Sequence, residues 1–154
     1  MFALTDQEIH ASALSAGFAG NSAGAVVTFE GRVRDHNLGK SVVGLEYEAY
    51  SELAISEGNS IILEAKSKFA IIEAVAVHRY GQLGLKDIAV CIVVFSAHRD
   101  AAFLACRYII DEIKTRLPIW KREHYASADA QWVDCPGCKS ARHAGGTSEA
   151  HRWL

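Results

Sequence analysis

The chain has 154 residues, half of them hydrophobic and only two of them proline, which is the size and composition of one compact globular domain and excludes a disordered protein. Its formal net charge of −2 argues against a general polyanion-binding protein, so any anion site must be local. The longest apolar run, residues 88–95, is far shorter than the roughly 20 residues needed to cross a bilayer, and no signal peptide is visible, so we expect a cytoplasmic protein.

The first third of the chain predicts one helix followed by two strands. Thr5 or Asp6 caps a short amphipathic helix that ends near Gly17. Residues 25–34 are apolar and β-branched at first and then alternate, and residues 41–50 alternate between apolar and polar positions, so both segments are predicted strands. The polar segment between them is predicted to be a mobile hairpin loop.

The middle of the chain predicts a helix and a pair of strands. Residues 51–69 have helical spacing of apolar positions, carried by Leu53, Ile61, Ile62 and Ala65. Gly58 inside this helix costs about 1 kcal/mol relative to alanine. Residues 70–80 and 87–97 carry strong strand signals and are joined by the glycine-flanked segment Gly-Gln-Leu-Gly, read as a turn, so we expect them to pair antiparallel.

A further helix is predicted over residues 99–117, and Pro118 ends its pattern. Its apolar positions fall on one helical stripe that is expected to pack on the sheet: Phe103, Cys106, Ile110, Ile113 and Leu117. Cys91 and Cys106 lie within apolar segments, where a reduced thiol packs as a small hydrophobe. The cysteine pattern therefore does not indicate a secreted disulfide framework.

Two short strands, residues 119–125 and 130–134, close the predicted domain. The remaining segment, residues 135–154, is rich in small and polar residues and is expected to be a C-terminal tail. The order of elements predicts a single α+β domain over residues 1–134.

A basic cluster surrounds the end of the last helix. At about 100° per residue, Lys114 lies roughly 60° from the centre of the apolar stripe, where a lysine can bury its stem and present its amine to a pocket. A second cation nearby, for which Lys121 is the candidate, would favour the neutral, nucleophilic amine. Four cations within nine residues suggest an anionic ligand: Lys114, Arg116, Lys121 and Arg122. The alternative is a solvated basic edge strand, with Trp120 as ordinary core.

The strand-to-helix junction at residues 95–100 is a candidate anion site. The first backbone amides of a helix are unpaired and its dipole leaves positive potential there, so a phosphate would meet these amides together with His98 and Arg99. The alternative is that Ser96 only caps the helix and that His98 and Arg99 point to water. The pattern of this segment leaves both interpretations open.

Two arginines precede the predicted hairpin loop. Arg32 and Arg34 are expected to share one strand face, and one of them can clamp a phosphate with two parallel hydrogen bonds. The alternative is that both are exposed strand arginines paired with Glu30 or Glu46. Spacing alone favours neither interpretation.

Four segments together resemble the large, catalytic subunit of molybdopterin synthase, the MoaE family, over residues 24–134. They are GAVVTFEGRVRDHN, VHRYGQL, FSAHRDAAF and KTRLPIWKRE, and the last is similar to the most specific motif of that family. The resemblance implies an α/β hammerhead-type fold, a mainly antiparallel sheet with packed helices and a small additional β subdomain.

The resemblance also implies partners and a reaction. A homodimer lies at the centre of a heterotetramer, and a small ubiquitin-like sulfur-carrier subunit docks at each outer end and threads its Gly-Gly thiocarboxylate tail into the pocket. The sulfurtransferase reaction moves two sulfurs from successive carrier tails onto cyclic pyranopterin monophosphate and forms the dithiolene of molybdopterin. No metal or organic cofactor is needed.

Site residues are carried over from the family by position. Lys114 matches the lysine next to the terminal glycine of the carrier, and Lys121 matches a second essential lysine that faces the pterin. Arg34, His98 and Arg99 match the anion-binding set. Additional candidates for the pocket are Phe29, Arg116 and Trp120. Whether Lys114 shuttles protons or forms a transient acyl bond stays open, and so does whether a second subunit completes the cavity.

The tail departs from the family pattern. Cys135, Cys138 and His143 have the C-x2-C-x4-H spacing of a zinc knuckle, but Ser148 replaces the fourth cysteine, and His151 is the available substitute. A redox pair is a second alternative, and a plain flexible tail without a metal is the interpretation that we favour.

Two other classes of function remain open. The same basic cluster could serve a non-catalytic anion-binding or nucleic-acid-binding module, although the acidic balance of the chain disfavours it. The fold could also persist only as an interaction scaffold, against which the intact Lys114 and Lys121 argue.

Overall fold

The computed structural model describes residues 1–17, 20–126 and 128–133. Its elements, in chain order, are β1 (Phe2–Thr5), α1 (Ala11–Ala16), β2 (Ala25–Arg32), β3 (His36–Asn37), β4 (Lys40–Ala49), α2 (Ser51–Lys68), β5 (Ile71–Arg79), β6 (Gly81–Leu83), β7 (Ile88–Ser96), α3 (Arg99–Arg116), β8 (Ile119–Tyr125) and β9 (Ala128–Val133). The predicted α+β class is confirmed. Among the described residues, β1 and β5 form the one parallel pair and all other pairs are antiparallel.

The main sheet has the strand order β1-β5-β7-β2, and its central strand β7 is buried on both faces. Val90, Ile92 and Val94 of β7 belong to the core that includes residues of α2 and α3. Cys91 and Val93 belong to a second, smaller core that also includes residues from α1. Burial on both faces explains why this strand is a continuous apolar run in the sequence instead of an alternating one.

A second sheet, with five strands, lies beside the main one and has the strand order β3-β4-β8-β9, with β6 also paired to β4. It has its own apolar core, formed by Val33, Val42, Leu45, Leu83, Ala89 and Tyr125. This unit is the small β subdomain that the family resemblance implies. Because β8 follows α3 after only two residues, the end of α3 is held against this sheet.

The first helix begins later than the capping signal predicts. Phe2–Thr5 forms β1, which pairs with β5 so that Phe2 lies opposite Ala76, and α1 starts only at Ala11. Phe2 is buried beneath α2. Local capping patterns cannot reveal such a strand, because its hydrogen-bond partner lies more than 70 residues away.

The predicted Gly-Gln-Leu-Gly turn is also wrong in part. Gly81–Leu83 forms β6 and pairs with β4, with Gly81 opposite Tyr47. The chain reverses instead around Gly84, whose N–H donates to the carboxylate of Asp87 at 3.0 Å. The antiparallel pairing of β5 with β7 is as expected.

Two apolar residues assigned to buried helix faces are exposed. Leu53 in α2 is 50% exposed and Phe103 in α3 is 62% exposed. The buried face of α3 is formed by Ala102, Ala105, Cys106, Ile109, Ile110 and Ile113. Small residues at the start of this face let the helix approach the sheet closely, and Phe103, about 100° away from Ala102, then points outward.

Gly58 lies in the middle of α2 and is required there by close packing. A Cβ atom added at this position would overlap the ring of Phe2. Helix propensity predicts that Gly58→Ala stabilises the protein, but overpacking typically costs about 1–3 kcal/mol, so we expect the substitution to lower the free energy of unfolding. Urea unfolding measures this difference.

The control for this prediction is the same substitution in a Phe2→Ala background. Without the ring, Gly58→Ala removes only the glycine penalty and is expected to be neutral or stabilising. A Gly58→Ala variant that is more stable than its parent in both backgrounds would contradict the packing argument.

Candidate active site

A cavity of about 670 Å³ opens between the end of α3 and the second sheet. The last turn of α3 forms one side of the cavity, β4 and β8 form another, and β2 with the residues after it closes a third. Six of the eight predicted site residues line this cavity: Phe29, Arg34, Lys114, Arg116, Trp120 and Lys121. The fold thus brings together predicted site residues from two separate parts of the chain, 29–34 and 114–121.

The two candidate catalytic lysines flank the junction between α3 and β8. Lys114 lies in the last turn of α3, and Pro118 stops the helix from continuing. Leu117 is buried and anchors the junction, whereas Trp120 is 46% exposed and is not an ordinary core residue. Lys121 is the third residue of β8, and its side chain is 20% exposed.

A buried carboxylate, Glu123, holds Lys121. The Nζ atom of Lys121 lies 2.9 Å from Oε1 of Glu123. The hydroxyl of Tyr125 donates to the same carboxylate at 2.6 Å, and Nδ2 of Asn37 donates to its two oxygens at 3.1 and 3.0 Å. Burial alone would raise the pKa of Glu123, but these hydrogen bonds outweigh it and lower the pKa below its ordinary value. Glu123 is therefore ionised at neutral pH.

The two arginines near β2 have different partners. Arg32 donates from Nε to Oε2 of Glu30 at 2.7 Å, which is the pairing that spacing had left open. Arg34 lies beyond the end of β2, so the two do not share a strand face, and its Nη2 donates to Oδ1 of Asn37 at 3.1 Å. Because an amide oxygen carries no formal charge, this contact does not neutralise the positive charge of Arg34. Arg34 is therefore better suited than Arg32 to an anionic ligand.

Arg116 lines the cavity, but its guanidinium binds carboxylates of α2 and α3. Nε donates to Glu57 at 2.7 Å, Nη1 and Nη2 donate to the two oxygens of Glu64 at 2.8 and 2.9 Å, and Nη1 also reaches Glu112 at 3.2 Å. Hydrogen bonds from Arg116 and then Tyr108 lower the pKa of Glu64 to about 2. Arg116 therefore clamps the two helices together and holds the end of α3 in position.

The basic cluster is consequently less positive than the sequence suggests. Three of its four cations, Arg116, Lys121 and Arg122, have carboxylate partners within 4 Å. Arg122 lies 3.8 Å from Glu46 of β4, and Lys121 pairs with Glu123. The cluster is a set of oriented cations with compensating charges nearby, and not an unpaired basic edge.

Arg116→Ala is expected to reduce stability because three carboxylates lose their shared counter-charge and repel one another. The folded-state pKa of Glu64, about 2, lies below its ordinary value of 4.5. The clamp therefore stabilises fully above the ordinary value, and this stabilisation is lost as the pH falls through about 2. We expect the gap in unfolding free energy between wild type and variant to be large at neutral pH and to shrink in acid.

Urea unfolding at neutral and acidic pH measures this gap. Arg107→Ala is the matched control, because it removes an exposed pair with Asp111 on the same helix, worth only about 0.3–0.5 kcal/mol. A loss for Arg116→Ala no larger than that of the control, or one independent of pH, would argue against the clamp.

His98 and Arg99 lie at the other end of α3. Lys114 lies fifteen positions after Arg99 in the same helix, so at 1.5 Å per residue their backbones are about 22 Å apart. Both side chains are exposed. Ser96 is buried and its hydroxyl donates to the carbonyl of Ala70 at 3.0 Å, and the N-cap position of α3 is His98, without a side-chain cap hydrogen bond, so Ser96 is not the helix cap. A single chain does not bring His98 and Arg99 to the cavity.

Sequence reasoning missed His78 and Glu123, which also line the cavity. The Nδ1–H of His78 donates to the carbonyl of Arg79 at 2.8 Å, and burial lowers the pKa of His78 to about 4, so the ring is neutral at physiological pH. Its ring packs edge-on against Tyr47, with centroids 5.0 Å apart. Alternation along β8 could have revealed Glu123, because residues two apart on a strand face the same side as Lys121.

The cysteine predictions divide between the core and the tail. Cys91 and Cys106 are buried free thiols, as predicted, and burial raises the pKa of each to about 11. The zinc-knuckle candidates, Cys135, Cys138 and His143, lie outside the described residues. Within the described residues, no group of three or more potential metal ligands comes together, and no helix has the length and apolarity needed to span a bilayer.

Comparisons with known proteins agree on one family. The family model described as MoaE protein matches residues 4–116. A molybdopterin synthase catalytic subunit of Thermoplasma volcanium is 51% identical over 110 residues, which are 71% of this chain and 80% of that protein. The crystal structure of molybdopterin synthase from Staphylococcus aureus is 35% identical, with a TM-score of 0.79 over 84% of this chain and 94% of that one.

A third comparison supports the fold. In a Helicobacter pylori protein–protein complex of subunits 1 and 2 of molybdopterin-converting factor, one chain matches with a TM-score of 0.69. The match covers 88% of this chain and 90% of that one, at 17% sequence identity.

Proposed function

This chain belongs to the MoaE protein family, and we propose that it is the catalytic subunit of a molybdopterin synthase. It is a sulfurtransferase that takes sulfur from the thiocarboxylated tail of a small ubiquitin-like carrier subunit and transfers it to cyclic pyranopterin monophosphate. Two such transfers create the dithiolene of molybdopterin. The enzyme works in the cytoplasm as a homodimer that binds one carrier at each outer end.

The observation that carries this proposal is the shared cavity of Lys114, Lys121 and Arg34. An anionic substrate and a thiocarboxylate-terminated peptide tail are both negatively charged and favour cations, and pre-oriented cations in a partly enclosed site stabilise developing negative charge without reorganisation. Glu123 orients one of these amines. Lys114 acts on the carrier terminus as an acid–base group or as an acyl acceptor, and Lys121 faces the pterin.

His98 and Arg99 complete this site from the second copy of the chain. They are exposed and lie about 22 Å along α3 from Lys114, so they can serve the same substrate only across a subunit boundary. In a two-fold dimer each site would then receive the lysines from one subunit and the anion-binding pair from the other. Substitutions of Arg34, His98 or Arg99 should mainly raise KM.

The direct test combines the full-length chain, thiocarboxylated carrier and cyclic pyranopterin monophosphate. Formation of the dithiolene product that depends on both the carrier and this chain would support the proposal. No product with a carrier that is competent with another synthase would refute it. Salt-sensitive binding of single-stranded RNA that does not depend on a carrier would instead favour a nucleic-acid-binding module.

A further inference from the structure

One neutral side chain, Asn37, joins two cationic parts of the cavity. Its Oδ1 accepts a hydrogen bond from Nη2 of Arg34 at 3.1 Å. Its Nδ2 donates to both carboxylate oxygens of Glu123 at 3.1 and 3.0 Å, and Glu123 in turn pairs with Lys121 at 2.9 Å. A continuous path of polar contacts therefore runs from Arg34 to Lys121.

The chemistry of the neighbours determines the orientation of the Asn37 amide. A guanidinium can only donate hydrogen bonds and an ionised carboxylate can only accept them. The oxygen of the amide must therefore face Arg34, and its nitrogen must face Glu123. An isosteric carboxylate at position 37 could satisfy Arg34 but would have no proton to donate to Glu123.

Asn37 reaches this position from a short hairpin. It lies in β3, opposite Lys40 of β4, and the two residues at the tip, Leu38 and Gly39, both have positive φ angles of 47° and 77°. Its amide then contacts Glu123, 86 residues later in the chain and only 3% exposed. A surface hairpin is thus tied to a buried group of β8.

We propose that Asn37 is a positioning residue that couples the anion-binding Arg34 to the Lys121–Glu123 pair. This role rests on the proposed function, because Arg34 and Lys121 are its substrate-binding and catalytic groups. Asn37 sets the direction of the Arg34 guanidinium. It also fixes the orientation of the Glu123 carboxylate, and with it the oxygen that Lys121 contacts. Both effects act on substrate through other residues, so Asn37 itself needs no contact with the reacting atoms.

Asn37→Asp is the sharpest test, because it keeps the shape of the side chain while it replaces the N–H donors with an oxygen and adds a negative charge. At mildly alkaline pH two carboxylates would face each other, and we expect KM for the pyranopterin to rise and kcat to fall, each about tenfold. As the pH falls, one proton shared between position 37 and Glu123 restores a donor, so activity relative to wild type should recover.

Other charged groups near this pair come from three elements. Arg34 faces it from the residues after β2, Lys121 and Tyr125 from β8, and Lys40 of β4 lies 5.1 Å from the ring of Tyr125. The cations favour ionised carboxylates and so shift the recovery of the variant to lower pH, whereas the pH dependence of all other groups is common to wild type and variant. We therefore compare the activity of the variant with that of the wild type as a ratio at each pH.

Asn37→Ala and Leu38→Asn are the companion variants. Asn37→Ala should show the same changes in KM and kcat but no acid recovery, because it has no group to protonate. Leu38 is 89% exposed on the same hairpin, and asparagine accepts a positive φ, so Leu38→Asn should behave as wild type.

The outcomes separate the two proposals. If wild type forms no product with a competent carrier, the proposed function fails. If wild type turns over and Asn37→Asp has the same KM and the same pH profile as wild type, the positioning role is overturned. The same holds if the variant differs from wild type only in the fraction of enzyme that is active. Should Asn37→Asp fail to fold, an unchanged KM in Asn37→Ala would overturn it equally.

Discussion

Lys114→Ala is expected to abolish dithiolene formation while the subunit still folds and still binds its carrier. Lys114 projects from the last turn of α3 into the cavity, and alanine keeps the helix, since alanine has the highest helix propensity. The amine is proposed to act directly on the carrier terminus, so its loss removes the reacting group and not merely part of the binding surface. We expect at least about a thousandfold fall in turnover, typical of losing an acid–base or nucleophilic group.

Single-turnover assays with thiocarboxylated carrier measure this loss, and circular dichroism and carrier co-elution verify the fold and the complex. Arg107→Ala serves as the control, because it removes a cation from the exposed side of the same helix, where the side chain pairs with Asp111. Near-normal turnover by Lys114→Ala would remove Lys114 from the mechanism.

Mixed dimers are expected to regain activity that neither parent variant has at low substrate concentration. One parent carries Lys114→Ala, and the other carries His98→Ala together with Arg99→Ala. If each site takes its lysine from one subunit and its anion-binding pair from the other, a purified mixed dimer contains one intact site and should show about half of the wild-type rate. Two affinity tags allow the mixed dimer to be isolated.

The alternative arrangement predicts a different result. If His98 and Arg99 served the same subunit as Lys114, each site of the mixed dimer would carry a lesion and no activity would return. The 22 Å length of helix between these residues makes that arrangement incompatible with one shared cavity. A mixed dimer as inactive as its parents would show that the pair at the start of α3 does not serve the neighbouring site.

Local patterns predicted most of the elements but not the edges of the sheets. The long helices α2 and α3 and the strands β5 and β7 were located to within one or two residues, because apolar periodicity reports burial directly. β1, β3 and β6 were missed. β3 is a two-residue strand within the segment that was predicted to be a mobile hairpin loop. β1 and β6 are short and are defined by pairing with strands distant in the chain, which no local periodicity encodes.

The same division applies to Gly58. From helix propensity alone, Gly58 makes α2 less stable by about 1 kcal/mol than alanine would at the same position. In the fold it is the position at which the ring of Phe2 reaches the helix. Propensity measures the cost of a residue in isolation, whereas the sign of its effect here depends on a contact between β1 and α2.

The sequence by itself determined the fold class, the family and the residue types of the site. The reason is that motifs such as KTRLPIWKRE combine a fixed residue spacing with a proline that ends the helix. This combination places Lys114 and Lys121 on either side of the helix–strand junction. Only the tertiary structure decided which cations remain for a ligand. Arg116 is occupied by carboxylates of α2 and α3, and Asn37 and Glu123 organise Arg34 and Lys121. The electrostatic role of a side chain depends on which partners lie within hydrogen-bond reach, and distant segments of the chain supply those partners.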